Sequence, residues 1–195
     1  MTAEMKPKVL AIGGSLREGS RTLNVLEIAL YGATLVGAET ELLNLQKLPL
    51  PMYDDRKEID TYHAAVFTLL EKVRRADGLI LASPVYHGTL SGSLKNALDF
   101  LELLANDDPP WLEGKVVGLI SVAGGEAGIN AINSMQYACQ ALHAWTLPTA
   151  VAIPGSAFDS DSQLQDSRLK ERLLKLGKEV TKYAALFARE RSVNE

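Results

Sequence analysis

A chain of 195 residues with 47% hydrophobic and 23% charged side chains carries enough apolar material for a sizeable core and is read as one domain over residues 1–195. Its net charge of -4 offers no basic excess to neutralise a phosphate backbone, which argues against nucleic acid as a partner. The single cysteine, Cys139, excludes an intrachain disulfide, and no Cys/His cluster has zinc spacing. The polar start MTAEMKPK lacks a signal-peptide pattern, and no apolar run approaches the roughly 20 residues of a bilayer span, so a reducing cytoplasm and no membrane are expected.

KVLAIGG (residues 8–14) reads as a buried strand, and Leu23, Leu26, Leu30 and Ala33 follow at helical spacing. ETELLNL (39–45) is a second strand, and residues 46–57, with two prolines and YDDR, form a loop. Ile59, Tyr62, Val66, Leu69, Leu70 and Val73 predict a second helix, and DGLILASP (77–84) a third strand. Leu90, Leu94, Leu98 and Leu101 mark a third helix, KVVGLISVAGG (115–125) a fourth strand and residues 129–142 a fourth helix. LPTAVAIP (147–154) is a fifth strand, and Leu169, Leu173, Leu176, Val180, Tyr183 and Phe187 line a final helix. Strand and helix alternate throughout, and DGLILASP and KVVGLISV are apolar without alternation. That combination predicts an α/β fold with a parallel sheet covered on both faces. Ligands then bind at the carboxyl ends of the strands, where GGSLREGSR, SPVYHGT and VAGGEAG should converge.

GGSLREGSR has the glycine spacing of a nucleotide P-loop at Gly14 and Gly19. Ser20 and Arg21 follow where Lys and Ser/Thr are needed, and DGLILASP lacks a terminal metal-supporting Asp. A GxGxxG dinucleotide fingerprint is also absent. A plain tight turn capped by Ser20 would explain the glycines. It would not explain three hydroxyls, Ser15, Ser20 and Thr22, and the Arg17 guanidinium around one helix start. Backbone N–H groups there favour an anion, and arginine suits phosphate oxygens. The chemistry points to a terminal phosphomonoester held without magnesium.

GSLREGSRT together with SPVYHGTLSGSLKNALDF resembles the NADPH-dependent FMN reductase family over about residues 8–154. That family shows GSxRxxSxN after its first strand and a PEYNxSxPGxLKNALDW-like segment after its third. The resemblance implies a flavodoxin-like three-layer sandwich with a five-stranded parallel sheet in the order 2-1-3-4-5. It assigns Ser15, Arg17, Ser20 and Thr22 to the phosphate of FMN, with Thr22 in place of the usual Asn. Pro84, Val85, Tyr86, His87 and Gly88 match the segment beside the isoalloxazine ring, with Val85 for a common Glu and His87 for a common Asn. Gly124 and Gly125 match a loop at the ring's polar edge. A flavin needs an apolar wall, which Tyr86 can supply, and close backbone approach, which glycine allows.

Lys95 and Asn96 are read as structural. Leu101, Leu103, Leu104 and Trp111 are core or a dimer seam, with helical spacing favouring core. Residues 49–56 and 106–111 are candidate rims contributed by a neighbouring subunit. Asp54, Asp55 and Glu126 are read as solvated carboxylates. By resemblance the chain is an oxidoreductase: NADPH or NADH delivers hydride to bound FMN, and a small-molecule acceptor such as a flavin, quinone, azo compound or chromate removes the electrons. No catalytic side chain and no metal are assigned, and a homodimer or homotetramer is implied. A flavodoxin-like electron carrier and a flavin-dependent sensor stay open as alternatives. Arg17 and the modest charge disfavour the carrier, which usually has a Thr/Ser-rich loop and a strongly acidic surface.

Overall fold

The computed structural model describes residues 6–125 and 127–194. In chain order the elements are β1 (Lys8–Gly13), α1 (Arg21–Thr34), β2 (Glu39–Asn44), α2 (Ala64–Arg75), β3 (Gly78–Pro84), α3 (Gly92–Asp99), β4 (Val116–Ala123), α4 (Gly128–Ala141), β5 (Trp145–Thr146), β6 (Val151–Pro154) and α5 (Ser167–Asn194). The sheet is parallel in the order β2-β1-β3-β4-β5, and β6 also pairs with β4. This is the expected flavodoxin-like order, with one refinement at the edge. The fifth strand is two pieces on one neighbour: Trp145–Thr146 lies against Val116–Val117, and Val151–Pro154 against Ile120–Ala123. Pro148 falls in the gap, where a residue without an N–H cannot donate to a ladder.

Alternate strand residues feed two cores. Leu10, Ile12, Leu79, Leu81, Val117 and Leu119 pack under α2, α3 and α4, while Val9, Ala11, Ile80, Ala82, Val116 and Ile120 pack under α1 and α5. Leu101 and Leu104 are buried and Leu103 and Trp111 pack against the first core, so these residues are core. Cys139 is buried as well, and burial pushes its thiol up to about 12, which removes it as a nucleophile. Two helices differ from their periodicity. Ile59–Thr61 forms a separate single turn, because the His63 ring accepts from Ala65 N at 3.2 Å and starts α2 only at Ala64. α3 ends at Asp99 and continues as a tighter turn over Phe100–Leu104.

At the amino ends of the strands, opposite the ligand-binding end, Lys115 is buried and its Nζ donates to Arg74 O at 3.0 Å and Ala76 O at 2.6 Å, closing the last turn of α2. Burial, helped by the Arg191 charge and opposed by Asp77, lowers the ammonium pKa to about 8. The folded pKa lies below the unfolded value of about 10.5, so the unfolded chain holds this proton more tightly. Stability from this group is therefore expected to rise between pH 8 and about 10.5 and to be flat below. Urea unfolding of the wild type and of Lys115→Met across that range tests it. Their stability difference should move toward the wild type by about 1–3 kcal/mol, and a pH-independent difference would contradict it.

Candidate functional site

β1 delivers Gly14 to the strand ends, where its N–H donates to Ala82 O at 2.8 Å. Gly14 O accepts from both Ser91 Oγ and Ser93 Oγ at 2.7 Å. Ser91 also caps α3 through Leu94 N at 3.3 Å, and its own N–H donates to Ser83 Oγ at 2.8 Å. A buried serine network thus ties the loop after β1 to the segment after β3. A Cβ on Gly14 would stand 2.5 Å from Ser91 Oγ and 2.8 Å from Leu94 Cβ, so only glycine fits this crossing.

From there the chain enters α1. Gly19 takes a φ of 57°, and Ser20 becomes the N-cap, its Oγ accepting from Leu23 N at 3.3 Å. Ser15 is 3% exposed, and its Oγ accepts from Arg17 N at 3.3 Å. Thr22 is 2% exposed, and its hydroxyl bonds to no described residue but is not among the buried atoms left without a partner, so it is open to the cleft. Arg17 is exposed and makes no ion pair among the described residues.

After β3, Val85 N donates to Val122 O at 3.0 Å, and Tyr86 and Thr89 exchange two backbone bonds of 3.1 Å. His87 and Gly88, with φ of 50° and 80°, make the two-residue turn between them. Thr89 Oγ1 lies 2.9 Å from Ser134 Oγ and anchors this strap to α4. Tyr86 is 45% exposed, an aromatic face left open at the strand ends. Nothing lies within 4 Å of a Cβ built on Gly124 or Gly125, so protein packing does not require glycine at either position and the backbone there is open to approach.

These loops enclose one cleft of about 410 Å³. Ser15, Arg17, Ser20, Thr22, Pro84, Val85, Tyr86 and Gly124 line it, while His87, Gly88 and Gly125 sit on the adjoining turns and do not. The volume falls within the range of small-molecule sites. The hydroxyls of Ser15, Ser20 and Thr22, two guanidiniums and a helix N-terminus supply donors that fit a phosphomonoester, with the Glu18 carboxylate on the same lining. The tail and the aromatic wall stand side by side, as FMN requires.

Sequence reading assigned no site role to Glu18, Gly19, Arg21, Val122, Ala123 and Ser162, which also line the cleft. Arg21 stands inside the first motif but was not assigned a role. Ser162 belongs to a turn after β6 whose approach to α1 no local pattern signals. The remaining assignments are structural. Asn96 clips the loop after β2 to α3, donating to Pro51 O at 2.8 Å and accepting from Tyr53 N at 2.9 Å. Lys95 pairs with Asp99. Asp54 is not a lone solvated carboxylate: Arg56 grips both its oxygens at 2.8 and 2.9 Å, and that hydrogen bonding lowers its pKa to about 2. Glu126 lies outside the described residues.

Known proteins resemble the chain in sequence and in scaffold. Residues 7–158 match the family model for NADPH-dependent FMN reductase. The chain is 30% identical over 186 residues to the NADPH-dependent FMN reductase ArsH of Acidithiobacillus ferrooxidans, covering 92% of this chain and 74% of that protein. It is 37% identical over 149 residues to the NADPH azoreductase of a Bacillus species, covering 76% and 77%. Among solved structures, the flavoenzyme NAD(P)H:(acceptor) oxidoreductase FerB of Paracoccus denitrificans superposes with a TM-score of 0.69 at 21% identity, over 91% of this chain and 97% of that one, a likeness of fold. With the phosphate-type cleft at its strand ends and a family match over most of its length, the chain belongs to the NADPH-dependent FMN reductase family.

Proposed function

We propose that this chain is an FMN-dependent NAD(P)H oxidoreductase that passes hydride from NAD(P)H through bound FMN to a small-molecule acceptor such as a flavin, quinone, azo compound or chromate. The observation that carries the reading is the cleft at the start of α1, with the Ser15, Ser20 and Thr22 hydroxyls and the Arg17 guanidinium on its lining, beside the open face of Tyr86. Relatives named for azo and quinone substrates support the acceptor class. When bound, FMN supplies the hydride-accepting and electron-donating chemistry.

The chain's own residues bind and orient. Ser15, Ser20, Thr22 and Arg17 hold the phosphate, with the first N–H groups of α1. Tyr86 and Val85 flank the ring, and the Gly124 and Gly125 backbone approaches its polar edge. The strap over His87 and Gly88, anchored by Thr89, keeps Tyr86 in place. No side chain is needed to move a proton for hydride transfer, and none is assigned that role.

Among the described residues no helix is long and apolar enough to cross a membrane. We place the protein in the cytoplasm as a homodimer or homotetramer. An apolar groove of about 510 Å³ lined by Leu16, Leu48, Leu50 and Met52 next to the cleft supports a second copy at that surface.

Anaerobic titration of the FMN-loaded protein tests the reading. NADPH or NADH is expected to bleach its yellow colour, and the ratio of rates reads donor preference. Holoprotein that neither donor reduces would be a carrier or sensor, and failure to reconstitute with FMN would remove the cofactor assignment. The same sample should sediment as a dimer or tetramer, and a monomer would contradict the assembly.

A further inference from the structure

A groove of about 660 Å³ lies at the opposite end of the molecule from the cleft. Three segments wall it. Lys6 and Pro7 lead into β1, Val36 and Gly37 belong to the turn after α1, and α5 contributes Lys175, Lys178, Lys182 and Ala185. Pro7 O accepts from Glu39 N at 3.0 Å and Lys8 stands beside Glu39 in the sheet, which places the groove at the amino ends of β1 and β2. The 14 residues of α1, about 20 Å of helix, separate it from the cleft at Ser20.

Lys175, Lys178 and Lys182 recur at three and four residues and so share one face of α5, and all three are exposed. The charges on the lining are these three, Lys6 and Arg189 against Glu179. Glu179 Oε1 lies 3.7 Å from Lys175 Nζ, and Arg189 has a partner of its own. Lys6, Lys178 and Lys182 make no ion pair among the described residues, and Lys182 Nζ lies 5.3 Å from the centroid of the Tyr183 ring. A chain of net charge -4 thus gathers unbalanced positive charge in one concave place. The same groove has an apolar part in Pro7, Ala185 and Val36, which is 49% exposed. Gly37 beside them has a φ of 89° and no atom within 4 Å of its Cβ position, so its backbone is open to approach.

We propose that this groove binds an organic polyphosphate of the nucleoside di- or triphosphate class, at a site separate from the flavin cleft. Lysine ammoniums are point charges on flexible stems, suited to a run of phosphates, whereas planar carboxylates favour the arginine fork. Lys178, Lys182 and Lys6 take the phosphates, and Val36, Pro7 and Ala185 take the apolar face of the base. The volume falls within the range of small-molecule sites. A lipid surface is met by a projecting apolar helix face rather than by a groove walled from three segments. A nucleic acid needs a broader basic surface than a chain of net charge -4 provides.

Isothermal titration of the FMN-saturated chain with ATP and AMP, in phosphate-free and magnesium-free buffer, tests the proposal. The wild type is compared with Lys178→Gln/Lys182→Gln and with Lys47→Gln/Lys57→Gln, which removes the same charge from exposed positions outside the groove. ATP is expected to bind the wild type and the Lys47/Lys57 variant alike, and the Lys178/Lys182 variant at least about tenfold more weakly. AMP, with one phosphate, should bind the wild type at least about tenfold more weakly than ATP. No ATP binding by the wild type overturns the proposal. So does equal ATP affinity in the Lys178/Lys182 variant, which would put the nucleotide at the flavin cleft, or an equal loss in both variants, which would make it an effect of overall charge. AMP as tight as ATP overturns it as well. Phosphatidylserine vesicles or polyglutamate that bind through Lys178 and Lys182 where ATP does not would give the face to a membrane or an acidic protein, and overturn it too. The titration is independent of flavin reduction. Repeated on the flavin-free chain, ATP binding that the Lys178/Lys182 variant loses upholds the groove even where FMN fails to bind.

Discussion

Gly177→Ala is expected to destabilise the fold by about 3 kcal/mol or more, at the upper end of what overpacking costs. A Cβ there would lie 1.9 Å from Ala29 O and 2.9 Å from both Ala29 C and Ala33 N. These are backbone atoms of α1, so no side-chain rotation relieves the clash. The helix as a whole must move away from α5. Gly32 makes the reciprocal contact, its Cβ position 2.3 Å from Leu174 O. Alanine gains about 1 kcal/mol in helix propensity over glycine, which is too little to offset the separation of two packed helices. Because α1 begins with the cap that shapes the cleft, the displacement should also weaken FMN. Urea unfolding with an unchanged m-value measures the effect. A loss under 1 kcal/mol would mean that α1 and α5 can separate at low cost, and the close-packing account would be wrong.

Gly14→Ala is the second large effect, and it links stability to the site. The new methyl group would occupy the position of Ser91 Oγ, 2.5 Å away. Ser91 would lose its bond to Gly14 O and its cap on α3, a cap being worth about 1 kcal/mol, and would leave a buried polar atom without its partner. A loss of about 2–3 kcal/mol is expected, with FMN affinity falling at least about tenfold as Ser15 and the loop after it shift. Gly125→Ala is the control. No atom lies within 4 Å of its Cβ position, so its stability should stay within about 0.5 kcal/mol of the wild type. Equilibrium unfolding and FMN titration of the three proteins decide the matter. Wild-type FMN affinity in Gly14→Ala would detach the serine network from binding.

The parallel sheet was legible because buried strands such as DGLILASP and KVVGLISV are apolar on both faces, and amphipathic helices such as α5 repeat every three or four residues. The cleft at the start of α1 was legible for a similar reason: Ser15, Arg17, Ser20 and Thr22, which line it, are neighbours in the chain. Element ends were less so. The spacing of Ile59 and Tyr62 suits a helix, but the His63 cap begins α2 after them. Pro148 broke the fifth strand, whose two halves rest on separate stretches of β4.

Tertiary structure alone placed Ser91 and Ser93 under Gly14, brought Ser162 to the cleft at the start of α1 and set Gly177 against Ala29. Periodicity and capping are local, reaching only a few residues along the chain. Those three contacts join segments far apart in sequence, and their geometry exists only once the layers have packed. The chain's residues therefore determined which loops meet in one cleft at the strand ends. The packing of α1 against α5 and against the turn after β6 decided which distant residues complete that cleft.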